Sequence, residues 1–174
     1  METFLEILKI TLPALLVMLT AWLVIRNMLH DDQERRRQDL LLQTVKTVTP
    51  VRLQAYERIV LFLERISPES LIIRTARPEM TAQQLQSALV TSVRSEYEHN
   101  LSQQIYMSNE AWEMVKNARG TIVRLINSVA SQLPPAATGE ELSRLLLEEV
   151  VEMETEPTRT AIAYIKSELA RIMG

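Results

Sequence analysis

The strongest constraint on this chain is an uncharged, apolar run near its start, Ile10–Ile25. As a helix the run covers about 24 Å, so a helix that crosses a bilayer core of about 30 Å must extend to residues 4–29. The run is apolar on every side rather than along one stripe, which distinguishes it from a buried helix of a globular core. We therefore predict a transmembrane anchor at residues 1–29, in contact with the lipid bilayer through residues 4–29.

The flanks of the run favour a retained anchor over a cleaved secretory signal. A signal peptide would begin with positive charge and end in small residues, but "METFLEILK" is net negative and "TAWLVIRN" has no such cleavage site. Lys9 and Arg26 can reach opposite interfaces, and Trp22 lies one turn before Arg26, where an interfacial indole is favoured. Arg26 and Arg35–Arg37 follow the run, which predicts an outside N-terminus and a cytoplasmic C-terminal domain at the inner membrane.

The composition is typical of an all-α protein. Among 174 residues there are three glycines, no cysteine and few of the alternating β-branched and aromatic residues that strands prefer. The absence of cysteine excludes disulfides, thiolate metal sites and cysteine nucleophiles. A formal net charge of −3 and scattered aromatic residues argue against nucleic acid as a partner.

Prolines divide the rest of the chain. After the anchor, helix-forming residues continue to Val48, which predicts a stalk helix at residues 30–49 that Pro50 ends. Residues 50–174 are then enough for one helical domain with a single core. The predicted architecture is a transmembrane helix that continues into the stalk, followed by an irregular bundle of four to five helices.

Apolar residues at helical spacing predict the buried faces of this bundle. The first helix is predicted to bury Leu53, Tyr56, Val60 and Leu63. The second repeats apolar residues every four positions and must turn or break near Asn100, because that spacing drifts around a helix; its residues are Leu85, Leu89, Val93, Tyr97, Leu101 and Ile105. The later stripes are Ala111, Trp112, Val115, Ala118, Ile122, Leu125, Ile126, Val129 and Leu133; Leu142, Leu145, Leu146, Val150 and Met153; and Ile162, Ile165, Leu169 and Ile172.

Three positions predict helix starts. Thr81 caps the second helix, and Ser108 or Asn109 caps the third. Thr138 with Glu141 forms a capping box for the fourth. The stretch "LIIRTARPEM" before Thr81 is too short to assign to strand or helical turn.

The string Glu96-Tyr97-Glu98-His99 is the most metal-like in the sequence. An E-x-x-H in a helix is half of what a di-iron bundle uses, but the only other histidine, His30, has Asn27 three residues before it. We therefore favour a structural or surface histidine over a metal ligand and predict no metal and no cofactor.

Polar residues cluster around His99, and this cluster is the candidate site. It is open to three interpretations: a buried structural network, an interaction face or an active site. Its members are Glu96, Glu98, His99, Asn100, Gln103, Gln104 and Trp112.

Acidic residues are dense between Glu140 and Glu156, where seven glutamates stand against the single Arg144. A cation site needs converging oxygens and usually a rigid loop, and neither is indicated by this sequence. We interpret the segment as a solvated acidic face that suits a basic partner.

Two strings, Thr49–Arg74 and Val93–Gly120, resemble a family of uncharacterised bacterial proteins with one N-terminal membrane helix and a cytoplasmic helical domain. The resemblance implies membrane anchorage and a helical architecture, and it implies no activity. In the first string it draws attention to Tyr56, Glu57, Arg58, Glu64 and Arg65, and in the second to the candidate site around His99.

The sequence therefore predicts a non-enzymatic protein with an interaction or structural role. No Gly-rich phosphate loop, HExxH string or Ser/His/Asp order is present, and a hydrolase would need a nucleophile that the sequence does not offer. The predicted partner is another protein or a second copy of the chain. The alternative is a membrane-tethered helical domain that binds a small ligand or metal near His99.

Overall fold

The structure, a computed structural model, describes residues 15–26 and 48–173. Residues 15–26 are helical, with every side chain exposed. Among the described residues, no helix is both long enough and apolar enough to cross a membrane. The predicted anchor is described only in part, and Lys9 and most of the predicted stalk lie outside the described residues. The transmembrane anchor and the stalk helix therefore both stay predictions.

The chain divides into two compact units, Met1–Thr49 and Pro50–Gly174. The second unit is all-α, which confirms the predicted fold class, with no strand longer than an isolated bridge among the described residues. The described elements from residue 48 onward are α1 (residues 48–65), α2 (Pro68–Thr75), α3 (Ala82–Asn100), the 3₁₀ helix Leu101–Tyr106, α4 (Asn109–Gln132), α5 (Gly139–Glu152) and α6 (Pro157–Met173).

Six α-helices are therefore described where four to five were predicted. The additional element is α2, formed by the ambiguous "LIIRT" stretch. Pro68 begins α2, where its missing N–H costs no hydrogen bond, and Leu71 and Ile72 bury its inner face. Tertiary packing therefore makes this segment helical, although it is too short for its apolar periodicity to assign a secondary structure.

The longest described complete helix, α4, lies at the centre of the core. It packs against α3, α5 and α6, and its predicted stripe is buried over the full length of the helix. Only Leu133, just past the helix end, is partly exposed. The alternation of three- and four-residue spacings keeps this stripe on one side of the helix, which is why the prediction succeeded here.

The sequence-based assignment of α1 was wrong at its start, and its predicted face is confirmed in part, since Tyr56 and Leu63 are buried. Residues 48–65 are helical without interruption, so Pro50 does not end a helix. Leu53 is exposed and Val60 is only partly buried. The buried face follows the three- and four-residue spacing that a helix of 3.6 residues per turn requires, and Ile66 continues it just past the helix end: Ala55, Tyr56, Ile59, Phe62 and Leu63.

Two further stripes end earlier than predicted. The break expected near Asn100 is confirmed, because α3 ends there and the chain continues as a 3₁₀ helix. Leu101 and Ile105 consequently leave the line of the stripe and are exposed. In α6, Ile172 is exposed in the last turn, beyond the end of the core.

The predicted caps are confirmed, and two of them pair with each other. Thr81 and Thr138 each form a complete capping box, and Ser108 accepts a hydrogen bond from the Ala111 N–H. Thr81 and Thr138 also form an antiparallel bridge, in which the Gly139 N–H donates to the Met80 carbonyl at 2.7 Å. The starts of α3 and α5 are thereby joined through their backbones.

We expect Gly139→Ala to lower the free energy of unfolding by about 1–2 kcal/mol. A Cβ atom at residue 139 would lie 3.0 Å from the Met80 carbonyl oxygen, and that oxygen is held in the bridge. Gly120→Ala is the matched control, since its Cβ would meet only the flexible Arg124 guanidinium at 3.4 Å. In the interior of α4 that change should raise stability by up to about 1 kcal/mol. Denaturant unfolding of the two variants checks both signs.

Candidate functional site

The polar residues predicted around His99 are separated by the helix break. Asn100 and Gln103 are buried, whereas Glu98, His99 and Gln104 are exposed. The Asn100 amide donates to the Glu96 carbonyl at 2.8 Å, and the Gln104 amide donates to the Leu101 carbonyl at 2.9 Å. These amides satisfy carbonyl groups at the change from α-helix to 3₁₀ helix, so they act locally on the backbone.

Glu96 joins three helices through two arginines. Its Oε1 lies 2.6 Å from Arg65 Nη2 of α1 and 3.2 Å from Arg74 Nη1 of α2. Burial alone would raise the pKa of Glu96, but the hydrogen bonds and charges of the two arginines outweigh burial and hold the pKa below its ordinary value. Arg74 also donates to the Arg65 carbonyl at 2.7 Å, which fixes α2 against the end of α1.

His99 lies beside Arg58, with Arg58 Nη2 3.2 Å from His99 Nε2. A guanidinium can only donate, so Nε2 must act as the acceptor in this contact. In this position Nε2 already accepts a hydrogen bond and faces a positive charge, which disfavours a bound metal ion. Among the described residues, no group of three or more His, Cys, Asp or Glu side chains is placed to hold a metal ion.

Trp112 is buried in an aromatic stack. Its ring lies 5.7 Å from that of Tyr97, and Phe62 of α1 meets Tyr97 at 6.1 Å. The Arg119 guanidinium lies 4.2 Å from the Tyr97 ring centroid. Trp112 therefore contributes to packing between α1, α3 and α4.

Within residues 15–26, the Arg26 guanidinium lies over the Trp22 ring, 5.2 Å from its centroid. This is a cation–π contact between residues one helical turn apart.

The most deeply buried charged side chain among the described residues is one that sequence reasoning missed, Glu168 of α6. It accepts hydrogen bonds from the Tyr56 hydroxyl of α1 and from the Ser108 hydroxyl, and the Ser108 N–H approaches it at 3.4 Å. We name these three residues, Tyr56, Ser108 and Glu168, the Glu168 cluster. It connects α1, the start of α4 and α6.

Each member of the Glu168 cluster alters the ionisation of the others. Burial alone would raise the pKa of Glu168, but its hydrogen bonds from Ser108 and Tyr56, with the charge of Arg171, hold the pKa below its ordinary value. Burial, together with the hydrogen bond to Glu168 and its negative charge, raises the pKa of Tyr56 to about 12. At neutral pH the cluster thus holds one carboxylate and one protonated phenol.

A cavity of about 550 Å³ adjoins the Glu168 cluster, lined in part by Arg52, Tyr164 and Arg171. The Glu168 carboxylate is a weak base because its pKa is lowered. The Ser108 hydroxyl is also occupied, since it caps α4. Arg52 donates to the Tyr106 carbonyl at 3.3 Å. The arrangement therefore fixes three helices and the 3₁₀ helix in place rather than activating a nucleophile.

A signal for Glu168 does exist in the sequence. Glu168 follows Ile165 by three residues and precedes Ile172 by four, so it occupies a position on the apolar stripe of α6. A carboxylate there predicts a buried acceptor, and Tyr56, one of the residues in the first resembling string, is a donor to it.

These features define an all-α protein in which the buried Glu168 and the partly buried Glu96 join helices. A model of a family described as "Family of unknown function (DUF7935)" matches residues 2–172. The chain belongs to this family, which confirms the resemblance to an uncharacterised family; nothing in the match concerns membranes or bacteria. No curated protein and no solved structure matches the chain.

We expect Glu168→Gln to lower the free energy of unfolding by about 2 kcal/mol at neutral pH, since charge-assisted hydrogen bonds from two hydroxyls are weakened. The pKa of Glu168 lies below its ordinary 4.5 in the folded protein. Its stabilisation is therefore complete above that value and is lost as the pH falls through the lowered pKa. The variant should show a shallower loss of stability in acid, measured by denaturant unfolding across this pH range.

Glu57→Gln is the matched control for this prediction. Glu57 neighbours Tyr56 but is exposed, so its substitution should leave both the neutral stability and the acid slope near those of the parent. Equal acid slopes for Glu168→Gln and the parent would contradict the role assigned to the buried carboxylate.

In alkali we expect Tyr56 to ionise at a higher pH in the folded protein than in the unfolded chain. The pKa of tyrosine is 10.0 in the unfolded chain, and the pKa of Tyr56 in the fold is about 12. The stabilisation that the protonated Tyr56 hydroxyl provides is therefore complete below pH 10.0 and is lost as the pH rises towards 12. Tyr56→Phe should abolish this loss and remove the late step from an absorbance titration of the four tyrosines. Tyr106→Phe, outside the cluster, should retain that step.

Proposed function

We propose that the protein is a non-enzymatic interaction module. Its helical domain, residues 50–174, binds another protein or a second copy of the chain, and residues 4–29 tether it to the inner membrane with the N-terminus outside. The stalk at residues 30–49 sets the distance of the domain from the bilayer.

The observation that supports an interaction role is the exposure of large apolar side chains. Val151 is 84% exposed and Leu147, one turn before it, is 39% exposed, although both lie on α5, whose other face is buried. Large apolar side chains that are exposed side by side favour a surface that a partner covers. The ionisable groups with the largest structural roles, Glu96 and Glu168, are bonded between helices.

The tether rests on the sequence. The apolar run Ile10–Ile25 carries no charge, and its flanks suit opposite interfaces. An amphipathic domain held at a bilayer meets its partners at a raised effective concentration, which favours weak, specific contacts over very tight ones.

We expect crosslinking of the intact protein in native membranes to yield a defined covalent complex that co-purifies with it, and the protein to stay in the membrane fraction after an alkaline wash. His99→Ala should leave the fold, the complex and the metal content unchanged, because His99 is exposed and, within the described part of the chain, its side chain hydrogen-bonds to Arg58 alone. Circular dichroism, mass spectrometry and elemental analysis give the three measurements.

Three outcomes would overturn this proposal. A stoichiometric metal that is lost with His99→Ala would favour the ligand-binding alternative. Release of the protein by the alkaline wash would contradict the tether, while an intact protein that forms no complex in its native membrane would contradict the interaction role.

A further inference from the structure

Two exposed apolar residues lie on the same side of α5. Leu147 and Val151 are four residues apart, 39% and 84% exposed, so they stand one above the other on the helix surface. The opposite side of α5 carries Leu142 and Leu146 into the core. The helix thus has a second apolar strip that nothing within the described residues covers.

This strip continues into a groove between the end of α5 and the start of α6. The groove has a volume of about 560 Å³ and includes Val151, Met153 and Ala163 among its lining residues. We name the strip and groove the α5 face, with Leu147, Val151, Met153 and Ala163 as its apolar residues.

Negative charge surrounds the α5 face. Of the seven glutamates from Glu140 to Glu156, Glu148 pairs with Arg144 and Glu156 with Arg159, while Glu141 completes the capping box. The other four make no ion pair within the described residues and remain available: Glu140, Glu149, Glu152 and Glu154.

We propose that the α5 face is the docking surface for a basic amphipathic helix of a partner protein, an inference that rests on the proposed interaction role. A helix that lays apolar residues spaced by three and four along Leu147 and Val151 would place flanking lysines and arginines opposite Glu152 and Glu154. Docking would remove the exposed valine from water and pair the free carboxylates.

The same charges disfavour other occupants. A second copy docked through the same face in a symmetric pair would set glutamates against glutamates, which is destabilising. Nucleic acid and anionic lipid headgroups would be repelled for the same reason. Charge complementarity therefore selects a basic protein segment.

The test places the photo-reactive residue p-benzoylphenylalanine at position 151 of the full chain in its native membrane. Position 73 is the matched control, since Ile73 is comparably exposed on α2 and lies outside the acidic segment. Mass spectrometry of the adduct identifies the crosslinked segment. We expect adducts from position 151 that map to a segment with net positive charge and apolar residues at helical spacing.

A charge reversal tests the electrostatic part. Glu152→Lys with Glu154→Lys should reduce the yield of the position-151 adduct by about tenfold, and the effect should shrink as salt is raised. Glu57→Lys with Glu64→Lys, two exposed glutamates of α1, is the matched control and should leave the yield unchanged.

Adducts from position 151 that map to a second copy, to lipid or to an acidic segment would overturn this assignment, as would none at all. If a complex still forms but its adducts arise only from position 73, the interaction role survives and the α5 face is wrong. If neither position nor chemical crosslinking yields a complex, both the interaction role and the assignment of the α5 face are wrong.

Discussion

The Glu168 carboxylate joins parts of the chain that are far apart in sequence. Its donors are Tyr56, 112 residues away, and Ser108, 60 residues away. A buried carboxylate costs several kcal/mol in desolvation unless donors replace water, so α1, α4 and α6 are stable together only in the arrangement that supplies both hydroxyls. The polar cluster thereby selects one packing among the many that apolar stripes alone would permit.

Glu96 acts in the same way on a different set of helices. Its ion pairs with Arg65 and Arg74 join α1, α2 and α3, and both carboxylates therefore share α1 as a partner. Glu96 is closer to solvent than Glu168, so each of its pairs is weaker and more sensitive to salt. The two sites distribute the polar contacts of α1 over its length, while Ile59, Phe62 and Leu63 fill the core between them.

Sequence reasoning located what depends on local chemistry. The caps at Thr81, Ser108 and Thr138 and the stripe of α4 follow from side-chain hydrogen bonding and helical period, and all are confirmed. The errors concern tertiary context: α2 is too short for period to decide, and Leu53 leaves the core because α1 packs on a neighbouring line of residues. Glu168 was missed because a single carboxylate on an apolar stripe looks like an interruption until its donors, distant in sequence, are placed beside it.

Some polar groups of the domain are bonded within the fold, and others are left free to bind a partner. Around His99, the Asn100 and Gln104 amides satisfy carbonyls at the helix break and Glu96 pairs with arginines, so these groups are accounted for by the fold. On α5 the opposite holds, since Val151 is exposed at an energetic cost and the nearby Glu152 and Glu154 have no ion pair within the described residues. Groups that the fold leaves unsatisfied are the ones that binding can stabilise. Under the proposed interaction role, the α5 face, rather than the polar set that first draws attention in the sequence, is therefore the surface that we expect a partner to contact.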